Sequence, residues 1–256
     1  MNDFNRSFGS PNMAPTMDMS VDQGLRSFML GVYNKLALGI ALSGLIAFAV
    51  GTVEPLTQLV FGTPLVFLVQ WGPLALILIA SFAMRRPSPM GTGIVYWAVV
   101  TLMGAGLGVW FYAATGDVTL SSRAGRTFSP EMLTIAKAFL ITASAFGALS
   151  LWGYTTKKDL SGIGSFMIMA LWGVIGLSLI SFLFPPSGTF EIIIQLAVLV
   201  LCAGLIAWET QQLKEGYYAF AGDARSLAVM TNWGALNFFI LFVNLFQIIL
   251  SLLSSD

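Results

Sequence analysis

Residues 192–208 read IIIQLAVLVLCAGLIAW, an uninterrupted apolar run broken by one amide, and the residue that follows is Glu209. About 20 mostly apolar residues, rising 1.5 Å each, cross the roughly 30 Å hydrocarbon layer of a bilayer. Extended to 190–211, this stretch is long enough to span. Six others match it, at about 32–53, 64–84, 92–114, 133–154, 163–184 and 228–252. They are continuous runs, not the short alternating segments of a barrel, so helices are the only backbone that satisfies its own polar groups in lipid. The fold class is therefore an all-α integral membrane protein with seven transmembrane helices.

Composition agrees. Of 256 residues, 57% are hydrophobic and 9% charged, against roughly 25% charged in soluble domains. The 12 basic and 12 acidic residues cancel, so no net field favours nucleic acid. The chain has no histidine and one cysteine, Cys202. That excludes Ser-His-Asp and Cys-His catalysis, His-ligated metals and an internal disulfide. An intramembrane aspartyl protease needs two membrane aspartates, and the spans hold none. An enzyme is not expected, nor a cofactor. Function must come from carboxylates, amides, hydroxyls and a few cations.

Residues 1–23 form a polar segment without the basic and short apolar regions of a cleaved signal peptide. They read as a disordered cytoplasmic tail ahead of a seven-helix domain at 24–256. Arg6, Arg26, Lys35, Arg85, Arg86, Lys157, Lys158, Lys214 and Arg225 all fall on one side of the seven spans; Arg123, Arg126 and Lys137 fall on the other. The positive-inside bias puts the N-terminus in the cytoplasm and the C-terminus outside. Trp71-Gly72-Pro73 predicts a bend in the second span, since proline removes a backbone hydrogen bond. Gly104 with Gly108, and Ala143 with Gly147, predict close helix packing. The loop at 115–131 reads as a cap or a flexible excursion.

A charge at the bilayer centre costs about 2.5–3.5 kcal/mol on insertion scales, so polar residues inside spans are where function is sought. Gln195, Cys202 and Glu209 are spaced by seven along the sixth span. Asn237, Asn244 and Ser251 repeat that spacing in the seventh, with Gln247 beside them. A period of seven keeps residues on one face of a helix, and polar faces turn toward the bundle interior. Either the amides hydrogen bond across helices as glue while Glu209 snorkels to the headgroups, or the stripes line a hydrophilic path open to the cytoplasm beside Glu209. A carboxylate there can bind a cation and titrate. Arg85 and Arg86, ending the second span on the same side, are candidate counter-ions as well as positive-inside anchors.

Four segments have a familiar form. FGALSLWGYTTKKDLSGI at 146–163 resembles the signature of the Bax inhibitor-1 family, the transmembrane Bax inhibitor motif proteins, in its bacterial style. AWETQQLKEGY at 207–217, GALNFFILFVNLFQIIL at 234–250 and VYWAVVTLMGAGLG at 95–108 are similar to that family's sixth, seventh and third helices. The resemblance runs from about 25 to 252. It implies a seven-helix bundle with a central seventh helix, an inner (plasma) membrane location and a pH-sensitive leak of calcium as the permeant ion. It also implies two acids, one each on helices six and seven, that share protons and contact an arginine of helix two. Glu209 takes the helix-six position, and as the pathway acid it is the candidate metal contact. In ALNFFILFVNLF, however, Leu241 stands where the helix-seven aspartate belongs. Two close carboxylates share a proton; Glu209 has only Asn237, one turn from Leu241, as a neutral substitute. Apart from the lipid bilayer, the resemblance suggests a partner, the membrane-anchored ATP-dependent protease linked to some bacterial relatives.

Overall fold

The structure is a computed structural model that describes residues 14–83, 87–116, 120–121, 127–128, 130–183 and 188–254. Among these are eight helices: α1 (Ala14–Thr52), α2 (Glu54–Phe61), α3 (Leu65–Ala83), α4 (Pro89–Thr115), α5 (Met132–Thr155), α6 (Ser161–Leu183), α7 (Gly188–Ala219) and α8 (Ala224–Ser254). The seven expected spans correspond to α1 and α3–α8. Six of these are long and apolar enough to cross a membrane, and α6 is apolar over Ser161–Val174. The extra helix, α2, is a two-turn segment at the far end of α1, with proline in its first turn, where the missing N–H has no partner to lose.

Several expectations shift. α1 begins at Ala14, inside the stretch read as a polar tail, and residues 1–13 lie outside the described residues. α3 continues through Pro73 as one helix, which a proline bend, unlike a break, allows. The 115–131 loop is more than a cap: Leu120 pairs with Phe128 and Ser121 with Thr127 in a short antiparallel ribbon. Arg85 and Arg86 fall outside the described residues.

Local sequence explains several helix starts. Ser88 accepts a hydrogen bond from the Gly91 amide at 3.1 Å just ahead of Pro89, a side-chain cap followed by a proline pre-set for the first turn. Asp223 does the same for α8, accepting from the Arg225 and Ser226 amides at 3.0 and 3.3 Å and from the Ser226 hydroxyl. Its carboxyl is held below the usual range by these bonds, chiefly those from Ser226.

α8 is the axis of the bundle, packed by α1, α4, α5 and α7. Leu236, Phe238, Phe239 and Leu250 are fully buried. Phe238 stacks on Tyr33 of α1 at 5.7 Å between ring centres and meets Phe146 of α5 edge-on at 5.4 Å. The expected close packing of Gly104 and Gly108 is met against α1, where an added methyl would stand 2.8 Å from Ser43 Cα and from Val50 Cγ1 respectively. The second small-residue pair does not pack in this way. A methyl on Gly147 would meet no atom within 4 Å, and Ala143 is exposed. α6 touches chiefly α7, and α3 chiefly α4. Two clefts follow from these contacts, because neither α4 and α7 nor α1 and α5 make a substantial packing contact.

Candidate functional site

Three consecutive side chains of α7 point in three directions, as a helix turning about 100° per residue requires. Glu209 is half-buried and faces α8, where its Oε1 accepts from Asn237 Nδ2 at 2.7 Å. Thr210 is fully buried and meets Ser150 of α5 at 3.1 Å, and Ser150 in turn shares a hydrogen bond with Tyr33 of α1. Gln211 accepts from the Leu160 amide and donates to the Lys158 carbonyl, both at 2.8 Å, so it clamps the α5–α6 connection. The Glu-Thr-Gln segment therefore ties α7 to α8, to α5 and to the start of α6. The Glu209 carboxylate is aimed across the helix pair, at the exposed Asn237.

The two polar stripes lie in register. Fourteen residues back along α7, Gln195 Nε2 donates to Ser251 Oγ at 3.2 Å, and Ser251 is fourteen residues beyond Asn237 on α8. The shared face of α8 carries Ser226, Met230, Trp233, Asn237, Leu241, Asn244, Ile248 and Ser251 at helical spacing, and it fronts the cleft between α4 and α7. Two cavities lie along it. One, about 560 Å³ at the end where the described basic residues gather, is bordered by Pro87, Arg225, Ser226 and Trp233. The other, about 330 Å³ toward the opposite end, is lined by Trp110, Glu191, Gln195, Asn244, Gln247 and Ser251. Glu209 and Asn237 sit between them.

Leu241 occupies the step between Asn237 and Asn244 and packs half-buried against the core. It interrupts the polar face with an isobutyl group where the resemblance would place an acid. Among the described residues, no three His, Cys, Asp or Glu side chains gather into a metal site. A cation at Glu209 would have one carboxylate and the Asn237 amide, which suits a hard ion held loosely with most of its water, not a cage. Arg85 and Arg86 lie outside the described residues, but Pro87 borders the basic-end cavity.

Sequence reasoning missed a second polar cluster. Lys35, counted above as an interfacial cation, turns inward: its Nζ donates to Asn232 Oδ1 of α8 and sits 5.2 Å from the centre of the Tyr96 ring. Asn232, itself buried, donates to the Pro89 carbonyl at 2.7 Å and to Thr92 Oγ1 at 2.8 Å. The Tyr96 hydroxyl donates to the Lys35 carbonyl at 2.6 Å. One lysine thereby pins α1, α4 and α8 together. The available signal was Asn232, an amide off the seven-residue stripe of α8.

Comparisons with known proteins give a consistent result. The sequence model of a family described as "Inhibitor of apoptosis-promoting Bax1" matches residues 25–256. A protein of Caulobacter vibrioides is 47% identical, over 98% of this chain and 97% of its own length. RP147 of Rickettsia prowazekii is 34% identical, covering 91% and 92%. The inner membrane protein YbhL of Escherichia coli is 31% identical, covering 89% and 91%.

Proposed function

The chain belongs to the Bax inhibitor-1 family, and from that premise we propose that it is a bacterial inner-membrane protein through which cations, calcium foremost, leak along the α8 face under the control of Glu209. The observation that carries this reading is the 2.7 Å bond between Asn237 and Glu209. It aims the half-buried Glu209 carboxylate at the exposed Asn237, on the seam where polar groups continue toward both ends. Charge inside a membrane protein is costly and is kept where it meets water or an ion. An inner-membrane relative, YbhL, supports the location, and the basic end faces the cytoplasm by the positive-inside bias.

In this reading Leu241 is the barrier. Asn237 and Asn244 are about 10.5 Å apart along the helix axis at 1.5 Å per residue, and the only side chain of the face between them is apolar. An ion leaving Asn237 must cross that step with few ligands, so basal leak is low. A gate built on two acids sharing a proton is not available to this chain; the single acid at 209 binds the ion, and the amides relay it.

The test is calcium flux into liposomes containing the purified chain, comparing wild type with Glu209→Gln. Glutamine keeps the shape and can still accept from Asn237. At an effective dielectric between those of water and a protein surface, a unit charge about 4 Å away is worth roughly 1–4 kcal/mol, so flux should fall by at least about fivefold. Equal flux from both proteins removes Glu209 from the path.

A further inference from the structure

The cleft between α1 and α5 holds a groove of about 750 Å³, unconnected with the polar face of α8. Its walls are Arg26, Met29, Leu30, Tyr33 and Leu36 of α1, facing Phe146, Gly147, Ser150, Leu151 and Tyr154 of α5. From these walls we infer that the groove is a binding site for one anionic phospholipid of the leaflet on the basic side, its headgroup phosphate on Arg26 and one acyl chain running down to Leu36.

Four observations carry this. The first is charge: Arg26 is exposed at the mouth, and no carboxylate pairs with it among the described residues. Lys214 of α7 is a second cation at the groove wall, bonded to the Tyr154 carbonyl at 3.3 Å and lying 5.4 Å from the centre of that ring. The second is length. From Arg26 to Leu36 is ten residues, about 15 Å of helix, and half of a roughly 30 Å hydrocarbon layer is the same distance. A peptide or a soluble phosphate has no reason to match one leaflet.

The third is the state of the walls. The polar groups below the mouth are already paired, Tyr33 with Ser150 and Ser150 with Thr210, so the lower groove offers an acyl chain no unsatisfied donor. The outer half of the same cleft, lined by Ile40, Gly44, Ile135, Phe139 and Phe246, carries no charged side chain, and the preference for an anion belongs to the basic end alone. The fourth is Gly147. Glycine inside a helix costs about 1 kcal/mol relative to alanine, and here no neighbour needs its smallness, since a methyl would meet nothing within 4 Å. The space beside it is open to the groove.

The experiment is native mass spectrometry of the full-length, delipidated protein offered equal dioleoyl-phosphatidylglycerol and dioleoyl-phosphatidylcholine. Wild type should retain one phosphatidylglycerol in roughly tenfold preference, on the order expected for one or two basic residues at an anionic headgroup. Arg26→Gln should still retain a lipid but lose most of that preference. Gly147→Leu, which puts an isobutyl group into the groove at a position where the first carbon meets no neighbour, should retain neither lipid while keeping wild-type helix content by circular dichroism. Equal retention of the two lipids by wild type, or undiminished retention by Gly147→Leu, overturns the proposal. So does a dimer that Gly147→Leu dissociates without lipid release, which would make the groove a subunit contact. So does a lipid count that rises from zero to one only when residues 2–13 are deleted, which would give the groove to the chain's own N-terminal segment.

Discussion

Removing Asn232 should unfasten three helices at once, and the size of the effect follows from what it holds. Asn232→Leu deletes the acceptor for Lys35 and the donors to Pro89 and Thr92. Hydrogen bonds between membrane helices contribute on average about 0.6 kcal/mol and at most about 1.7 kcal/mol. Two average bonds and one charged bond near the maximum sum to roughly 3 kcal/mol. Lys35→Met alone loses the charged bond but leaves Asn232 its two acceptors, so it should cost about 1.7 kcal/mol. The double variant is the informative one. With the lysine gone, Asn232→Leu no longer strands a cation in a half-buried site, and the two costs overlap. The coupling energy should be about 1–2 kcal/mol, measured as a double-mutant cycle by reversible unfolding in mixed detergent micelles with tryptophan fluorescence. Coupling within about 0.5 kcal/mol of zero would refute the view that the lysine and the amide act as one unit.

Other outcomes follow from the same geometry. Leu241→Asp places a second carboxylate on the polar face and should raise calcium flux in liposomes several-fold above wild type; unchanged flux would mean that position 241 is not the barrier. Gly104→Leu drives a side chain into the Ser43 backbone and should destabilise the α1–α4 pair by about 2–4 kcal/mol, in the range of overpacked contacts and beyond, seen as a lower thermal midpoint in detergent, whereas Gly147→Leu should leave that midpoint nearly unmoved. Asp223 and Asp159 lie outside the spans, and hydrogen bonds from Ser226 and Ser161 respectively depress their carboxyls. A depressed acid stabilises the fold above its unfolded value of about 3.9 and loses that contribution as pH falls through the lower folded value. Hydrogen exchange in the first turns of α8 and α6 should therefore quicken, after correction for intrinsic rates, as pH drops below about 4; no change would show that neither cap matters.

Much of this fold could be read before any coordinates. The seven spans were legible because each long helix here is a nearly unbroken apolar run, and that pattern depends on the solvent, not on neighbours. The pairing of Glu209 with Asn237 and of Gln195 with Ser251 was foreshadowed by equal spacings on adjacent antiparallel helices joined by a short turn. What failed to show was long-range choice. Lys35 looked like an interfacial anchor because its partner Asn232 is 197 residues away, and nothing local says which way a lysine at the edge of an apolar run will turn. The small-residue rule held at Gly104 and failed at Gly147 for the same reason: small residues permit close approach, and only the surrounding helices decide whether one arrives. Gln211 was visible as part of a family-like segment, but its clamp on Leu160 and Lys158 needs the α5–α6 connection to come within 2.8 Å, which no periodicity encodes.

The three-way engagement of Glu209, Thr210 and Gln211 has a mechanical consequence. A shaft keyed on three sides cannot spin. Any twist of α7 that swung Glu209 away from α8 would drag Thr210 off Ser150 and Gln211 off the Leu160 amide in the same stroke. On the opposite bank of the cleft, α4 is keyed to α1 and α8. For the proposed ion route, α7 is then the fixed rail, and any widening is measured as a displacement of the α4 bank against it.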